Sequence, residues 1–287
     1  MKFPDFKYAA PESVAEAVSL LAASGGTAKP IAGGQSLLPM MAFRLAAPSL
    51  LVDLKKLKKL QKITLDASGL RLGARVRWRD IETDARLKSA HPLLQAAIAH
   101  VAHYQIRNRG TVGGSVAHAD PAAEMPGIAA TCDAELTAAG PSGKRVIPAV
   151  EFFLGPLSTA LAPDELLVEV KLGPWAPGRR WGFQEFARRR GDFAIAGVAA
   201  YYDVDEAGRA KNAHVGVIGA CTRPHRVSAA EAALNGRKVD SGVIDAAAKA
   251  LCAAVEPPED LHASAEYRAS LAGTLLERVL IEASNRG

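Results

Sequence analysis

Near the start of the chain apolar residues recur at helical spacing, with Val14, Ala17, Val18 and Leu21 on one face. Ser13 stands just before them with Glu16 three residues on, capping-box spacing that predicts a helix start, and Gly25-Gly26 predicts its end. The pattern then changes to strand-like segments. Pro30-Ile31-Ala32 is a short apolar segment, Leu50-Leu51-Val52-Asp53-Leu54 reads as a strand, and the alternating runs between Ile63 and Ala74 flank Asp66-Ala67-Ser68-Gly69, a turn suited to an antiparallel hairpin. Pro92 opens a helix carrying Leu93, Leu94, Ala97 and Ile98, Gly140-Pro141-Ser142-Gly143 marks another hairpin, and Leu166 to Leu172 forms a further strand.

Gly173-Pro174-Trp175-Ala176-Pro177-Gly178 cannot continue a helix or a central strand, and it is the expected linker between two domains. Beyond it Trp181 to Phe186, Ile195 to Val204 and Ala210 to Gly219 read as strands, the last two joined by a turn at Asp205-Glu206-Ala207-Gly208. Three helices are expected to close the chain. The last carries Leu271, Leu275, Leu276, Val279 and Leu280 in a core-facing stripe.

A length of 287 residues accommodates two domains, and 49% hydrophobic with 23% charged residues excludes disorder and disulfide-stapled mini-folds. The longest apolar stretches, such as Ala194 to Tyr202, fall short of a membrane span. Met1-Lys2-Phe3-Pro4 opens no secretory signal pattern, so a cytoplasmic location is expected. Cys132, Cys221 and Cys252 have no metal-site or disulfide spacing and read as small core residues. A net charge of +5 is compatible with an anionic ligand, an acidic partner or nucleic acid.

Two glycine-pair loops carry the candidate chemistry: Ala32-Gly33-Gly34-Gln35-Ser36 and Thr111-Val112-Gly113-Gly114-Ser115. Glycines at positive φ let successive backbone N–H groups converge on phosphate oxygens, and nearby hydroxyls add donors. Two such nests suit a diphosphate, while either loop alone also reads as an ordinary tight turn. Asp120 and Glu124 follow the second loop, where carboxylates accept hydrogen bonds from sugar or ribityl hydroxyls or serve a helix start.

Other motifs fail. No GxGxxG follows a strand, and Gly143-Lys144 lacks the Walker pattern because Ala138 and Arg145 occupy its key positions. Gly113-Gly114-Ser115-Val116-Ala117 ends in alanine where a nucleophile elbow has glycine, and His118 is too close to serve as its base. His100 and His103 are expected on one helical face without a third metal ligand, as solvated or capping groups. Arg188-Arg189-Arg190 reads as a solvated or partner-facing run, since no stacking aromatics interleave it. No catalytic set and no metal site is assigned.

Ala32-Gly33-Gly34-Gln35-Ser36-Leu37-Leu38-Pro39 together with Ile106-Arg107-Asn108-Arg109-Gly110-Thr111-Val112-Gly113-Gly114-Ser115 resembles the FAD-binding medium subunit of molybdenum hydroxylases, typified by carbon monoxide dehydrogenase. The flavin domain of xanthine dehydrogenase is similar. Phe6-Lys7-Tyr8-Ala9-Ala10-Pro11, Arg190-Gly191-Asp192-Phe193-Ala194 and Ser264-Ala265-Glu266-Tyr267-Arg268 extend the resemblance over essentially the whole chain. Gln35 stands where the carbon monoxide enzyme has histidine, Ser115 where many members have asparagine and Glu124 where aspartate is common.

The resemblance implies an α+β fold. A two-lobed FAD-binding domain of the vanillyl-alcohol-oxidase (PCMH) type covers 1–176, with lobes of about 1–55 and 56–176, and a smaller α+β C-terminal domain covers 177–287. It implies that Ala32, Gly33, Gly34, Gln35, Ser36 and Leu37, with Thr111, Gly113, Gly114 and Ser115, cradle the pyrophosphate. Asp120 and Glu124 then lie near ribityl or ribose hydroxyls, and Phe193 beside the flavin ring. Binding is expected to be noncovalent. The implied partners are a molybdopterin-binding large subunit and a small subunit with [2Fe–2S] clusters, in a dimer of heterotrimers without nucleic acid or a membrane span. Electrons would reach the FAD from the clusters and leave to an external acceptor. The competing readings are a self-contained FAD-dependent oxidoreductase of the same fold and a basic nucleic-acid-binding or scaffolding protein.

Overall fold

Ser13 caps the first helix, Val14–Ala23, its hydroxyl accepting from the N–H of Glu16 at 3.1 Å. The reciprocal contact is shifted by one residue: the Glu16 carboxylate accepts from the N–H of Glu12 at 2.8 Å, not from that of Ser13. The computed structural model describes residues 3–286, so Met1 and Lys2 of the opening segment lie outside the described residues.

The first lobe is a three-stranded sheet in which Lys7–Ala9 and Ala28–Ile31 both run parallel to the central strand Leu50–Asp53. Ala17, Val18 and Leu21 of the first helix pack on it with Val52 and Leu54. The second lobe is a five-stranded antiparallel sheet ordered Ile63–Asp66, Gly69–Gly73, Leu166–Leu172, Glu135–Gly140 and Gly143–Pro148. Both expected hairpins are present, with Asp66 opposite Gly69 and Gly140 opposite Gly143. Gly69 at φ +115° makes the first turn sterically feasible.

A four-stranded antiparallel sheet follows the linker, ordered Arg180–Phe186, Ala196–Val204, Ala210–Ile218 and His225–Arg226. The apolar run around Ala196 has a simple cause. Successive side chains of a strand point to opposite faces, and here both faces are covered. Ala196, Val198, Ala200 and Tyr202 pack with the helices Ser228–Leu234, Ser241–Ala254 and Ala265–Ser284, while Ala199 and Tyr201 join the core of the second lobe. The linker is pinned there as well. Arg179 lies over the rings of Trp175 and Tyr201, 5.1 and 4.4 Å from their centroids, and makes a two-point ion pair with Asp203.

His100 and His103 do not share a helical face. The helix from Pro92 ends at Ile98, Ala102 takes φ +41°, and His103 precedes a separate helix, Tyr104–Arg107. His100 instead meets Phe183 edge-on at 5.1 Å. Cys221 is buried, whereas Cys132 and Cys252 are partly buried. No described helix is long and apolar enough to cross a membrane.

Candidate functional site

A cavity of 740 Å³ opens between the two lobes and is closed on one side by a loop from the C-terminal domain. Ala32, Gly33, Gly34, Gln35, Ser36 and Leu37 line it from the first lobe, and Thr111, Gly113, Gly114, Ser115, Asp120 and Glu124 from the second. Phe193 reaches it with Gly191 and Asp192 from the third sheet's first connection. All thirteen residues singled out in the sequence therefore border one space.

The two glycine loops differ in design. In the first, the chain leaves the strand Ala28–Ile31, Gly34 takes φ +74°, and the helix Leu37–Ala42 begins. The backbone N–H groups of Gly33, Gly34, Gln35, Ser36 and Leu37 find no hydrogen-bond acceptor among the described residues. Five successive free amides in a loop that lines a cavity are a candidate nest for an anion. The Gln35 side chain donates to the Gly33 carbonyl oxygen at 2.9 Å and fixes the turn from within.

The second loop is not a nest. Thr111 caps a short helix, Val112–His118, so Gly113 and Gly114 have ordinary helical φ. Their amides are already bonded, Gly113 to the Ala74 carbonyl at 2.9 Å and Gly114 to Thr111 Oγ1 at 3.2 Å. The Ser115 N–H bonds the Thr111 carbonyl at 3.0 Å. These glycines serve close approach instead of positive φ. A Cβ on Gly113 would lie 2.4 Å from Ala74 Cβ, and one on Gly114 would lie 2.8 Å from Thr111 Oγ1. The same holds for Gly33, whose Cβ would lie 2.2 Å from the Arg109 carbonyl oxygen. The second loop thus offers the cavity a wall and hydroxyls, while the first offers the amides.

Asp120 and Glu124 hold the local backbone and both border the cavity. Asp120 Oδ1 accepts from the Ala122 N–H at 2.9 Å, and Glu124 begins the helix Glu124–Thr131. Glu124 is only 7% exposed, and no other described residue donates a hydrogen bond to its carboxylate. Burial pushes this carboxyl up to about 7, its own backbone N–H and Arg107 oppose the rise, and Asp120 adds to it.

Sequence reasoning missed Glu185, on the strand Arg180–Phe186. Burial and the nearby Glu124 charge raise its carboxyl, and its Oε2 is buried with no partner among the described residues. Its alternation along a strand gave no sign of this. Glu185 is not itself among the lining residues, but Lys29, Leu157, Ser158, Thr159 and Glu165 line the cavity outside any recognisable motif. Glu165 faces Arg145, whose guanidinium bonds it at 2.7 and 2.8 Å and holds its carboxyl below the usual range.

The charged lining comprises Lys29, Asp120, Glu124, Glu165 and Asp192, so amides and not a cation cluster provide for an anion. An amide nest flanked by Ser36, Thr111 and Ser115 hydroxyls fits a diphosphate, and the acidic residues beyond fit polyol hydroxyls. No group of three His, Cys, Asp or Glu among the described residues could hold a metal ion.

Residues 4–175 match the family described as the FAD binding domain in molybdopterin dehydrogenase, and residues 181–283 the CO dehydrogenase flavoprotein C-terminal domain. The 6-hydroxypseudooxynicotine dehydrogenase complex subunit alpha of Paenarthrobacter nicotinovorans is 41% identical, over 100% of this chain and 97% of that one. The carbon monoxide dehydrogenase medium chain of Hydrogenophaga pseudoflava is 35% identical, over 96% of each. The solved quinoline 2-oxidoreductase of Pseudomonas putida 86 superposes with a TM-score of 0.94 at 40% identity, covering 99% of both chains. With both of its domains matched in order, and with relatives of this identity along its full length, the chain belongs to the FAD-binding medium subunits of the molybdenum hydroxylases, the oxidoreductase family of carbon monoxide dehydrogenase and xanthine dehydrogenase.

Proposed function

We propose that this chain is an electron-transfer subunit, one that takes electrons from the [2Fe–2S] clusters of a small subunit and passes them through its FAD to an external acceptor. The observation that carries the reading is the cavity itself, lined by the loop whose five amides from Gly33 to Leu37 are unpartnered, with no hydrogen-bonded nucleophile–base pair among the described residues that line it. Bound FAD supplies the exchange between two-electron and one-electron chemistry. The chain's own residues bind, orient and shield.

In this reading the N–H groups of Gly33 to Leu37 hold the diphosphate oxygens, with the Ser36, Thr111 and Ser115 hydroxyls as further donors. Ala32, Gly113 and Gly114 keep the walls thin enough for the ligand to approach the backbone. Asp120 and Glu124 accept from ribityl or ribose hydroxyls, and Glu124 stores a proton near neutrality. Phe193, 63% exposed, offers its ring to the flavin and excludes water from one side.

We assign 1–176 to the FAD-binding domain and 177–287 to the C-terminal domain, in keeping with the linker geometry around Trp175 and Arg179. The partners are a molybdopterin-binding large subunit and an iron–sulfur small subunit, assembled as a dimer of heterotrimers in the cytoplasm. Affinity purification of the tagged chain from its source cells tests this. Equimolar FAD with molybdenum and iron on two further chains is the expected result, and a homogeneous yellow protein that turns over an organic substrate unaided is the contrary one.

A further inference from the structure

We propose that Arg268 is a positioning residue for the flavin site, clamping together the two cavity walls that come from different domains. The inference rests on the reading of the cavity given above. Arg268 lies on the C-terminal helix Ala265–Ser284 and is 4% exposed. Its Nη1 donates to two carbonyl oxygens, that of Ile195 at 2.7 Å and that of Gly219 at 3.1 Å. Its Nη2 donates to both carboxylate oxygens of Asp260 at 2.8 Å.

Each of the two residues whose carbonyl Arg268 binds leads to one wall through its own N–H. The Ile195 N–H bonds the Phe186 carbonyl at 2.8 Å, which closes residues 187–194 into a loop, and that loop carries Gly191, Asp192 and Phe193 to the cavity. The Gly219 N–H bonds the Pro121 carbonyl at 2.9 Å, and Pro121 lies between Asp120 and Glu124 on the opposite wall. The Gly219 turn packs closely against the end of that loop. Gly219 sits at φ +70°, and a Cβ there would lie 2.5 Å from the Ala194 carbonyl oxygen. One guanidinium therefore ties the loop bearing Phe193 to the Gly219 turn, and that turn holds the segment bearing Glu124 through Pro121.

Stability alone is a weak account of such a group. A buried guanidinium is costly to desolvate, and Arg268 Nε has no partner among the described residues, so apolar side chains in place of both Arg268 and Asp260 would serve folding as well. What an apolar side chain cannot do is fix two carbonyls at once. Asp260 in turn orients the guanidinium, and it is itself held by the N–H groups of His262 and Ala263 at 2.8 and 3.1 Å.

The test uses the full chain titrated with FAD, with iodide quenching of the bound flavin as a second readout. Arg268→Met and Asp260→Asn are expected to raise the FAD dissociation constant roughly ten-fold and to raise the quenching constant, because charge-assisted bonds that hold the walls are lost. Arg268→Lys, which restores the charge and one donor, recovers part of both. Leu276→Ala, a truncation of the buried core far along the same helix, lowers the melting temperature without changing the flavin's exposure to iodide. Should Arg268→Met fail to fold, Asp260→Asn decides, since that carboxylate is 44% exposed. FAD affinity and quenching unchanged within about two-fold in both variants, with the wild-type chain binding FAD, overturn the positioning role. A wild-type chain that takes up no FAD removes the functional reading itself.

Discussion

Gly33 and Arg109 approach so closely that a Cβ on Gly33 would stand 2.2 Å from the Arg109 carbonyl oxygen. This contact joins the free-amide loop of the first lobe to the chain entering the second lobe's capped helix, and it makes the cavity one continuous cradle. Gly33→Ala must push the two strands of chain apart, at a cost of about 1–3 kcal/mol for overpacking, and Gly33→Val more. Gly33→Val is expected to abolish FAD retention. Gly114→Val acts differently, by displacing Thr111 Oγ1 from its cap and filling the cavity wall, with the same loss of flavin. Gly25→Ala is the control: its φ is +57° but nothing lies within 4 Å, so it strains the backbone yet leaves FAD bound. Flavin-to-protein absorbance ratios of the purified variants read these outcomes.

Phe193 is 63% exposed, so its truncation removes little buried area. Phe193→Ala should change unfolding free energy by no more than about 0.5 kcal/mol. The flavin fluorescence yield and reduction potential should nevertheless move, because the ring that shields one side of the cofactor is gone. A potentiometric titration of the reconstituted variant compares the two. Stability lost without any spectroscopic or potential change would make Phe193 a packing residue only.

The carboxyl of Glu124 gives a pH signature. Its folded-state value of about 7 lies above the ordinary 4.5, so the folded chain holds a proton that the unfolded chain has released. Its contribution to stability is complete below pH 4.5 and is lost as pH rises through about 7. Glu185, raised to about 8, extends the same trend upward. Glu124→Gln should flatten the fall in melting temperature across this window and leave a smaller residual slope from Glu185. Thermal melts of the wild type, Glu124→Gln and the double variant Glu124→Gln/Glu185→Gln separate the two groups.

Much of the architecture was legible because local chemistry and tertiary structure agree. Ser13 caps its helix, both four-residue turn signals became hairpins, and the apolar run around Ala196 became a strand buried on both faces. Thirteen of the cavity residues were also legible, through the glycine motifs, the acidic pair after them and the family resemblance that singled out Phe193. Their physics was only half so. Gly113 and Gly114 are poor helix formers, yet they start a helix because only glycine fits against Ala74 and Thr111 there. Which amides remain free depends on partners such as the Ala74 carbonyl, nearly forty residues away in sequence, and no local pattern encodes that. His100 and His103 were read on one helix because their spacing allows it, but Ala102 at positive φ separates them. Glu185 was invisible because its partner Glu124 comes from the other domain.

In the proposed function this chain carries the flavin but does not reduce it from substrate. Cys132, Cys221 and Cys252 form no metal-binding group among the described residues, and the reading proposed above has the electrons arrive from another polypeptide. Stopped-flow absorbance of the FAD-loaded chain, shown by mass spectrometry to contain no other protein, measures this directly. Dithionite should bleach the flavin, while carbon monoxide, purines and N-heteroaromatic substrates should leave it oxidised until the iron–sulfur and molybdenum subunits are added. Reduction of the flavin by any of these substrates in the isolated chain would contradict the claim and make the protein a self-contained flavoenzyme.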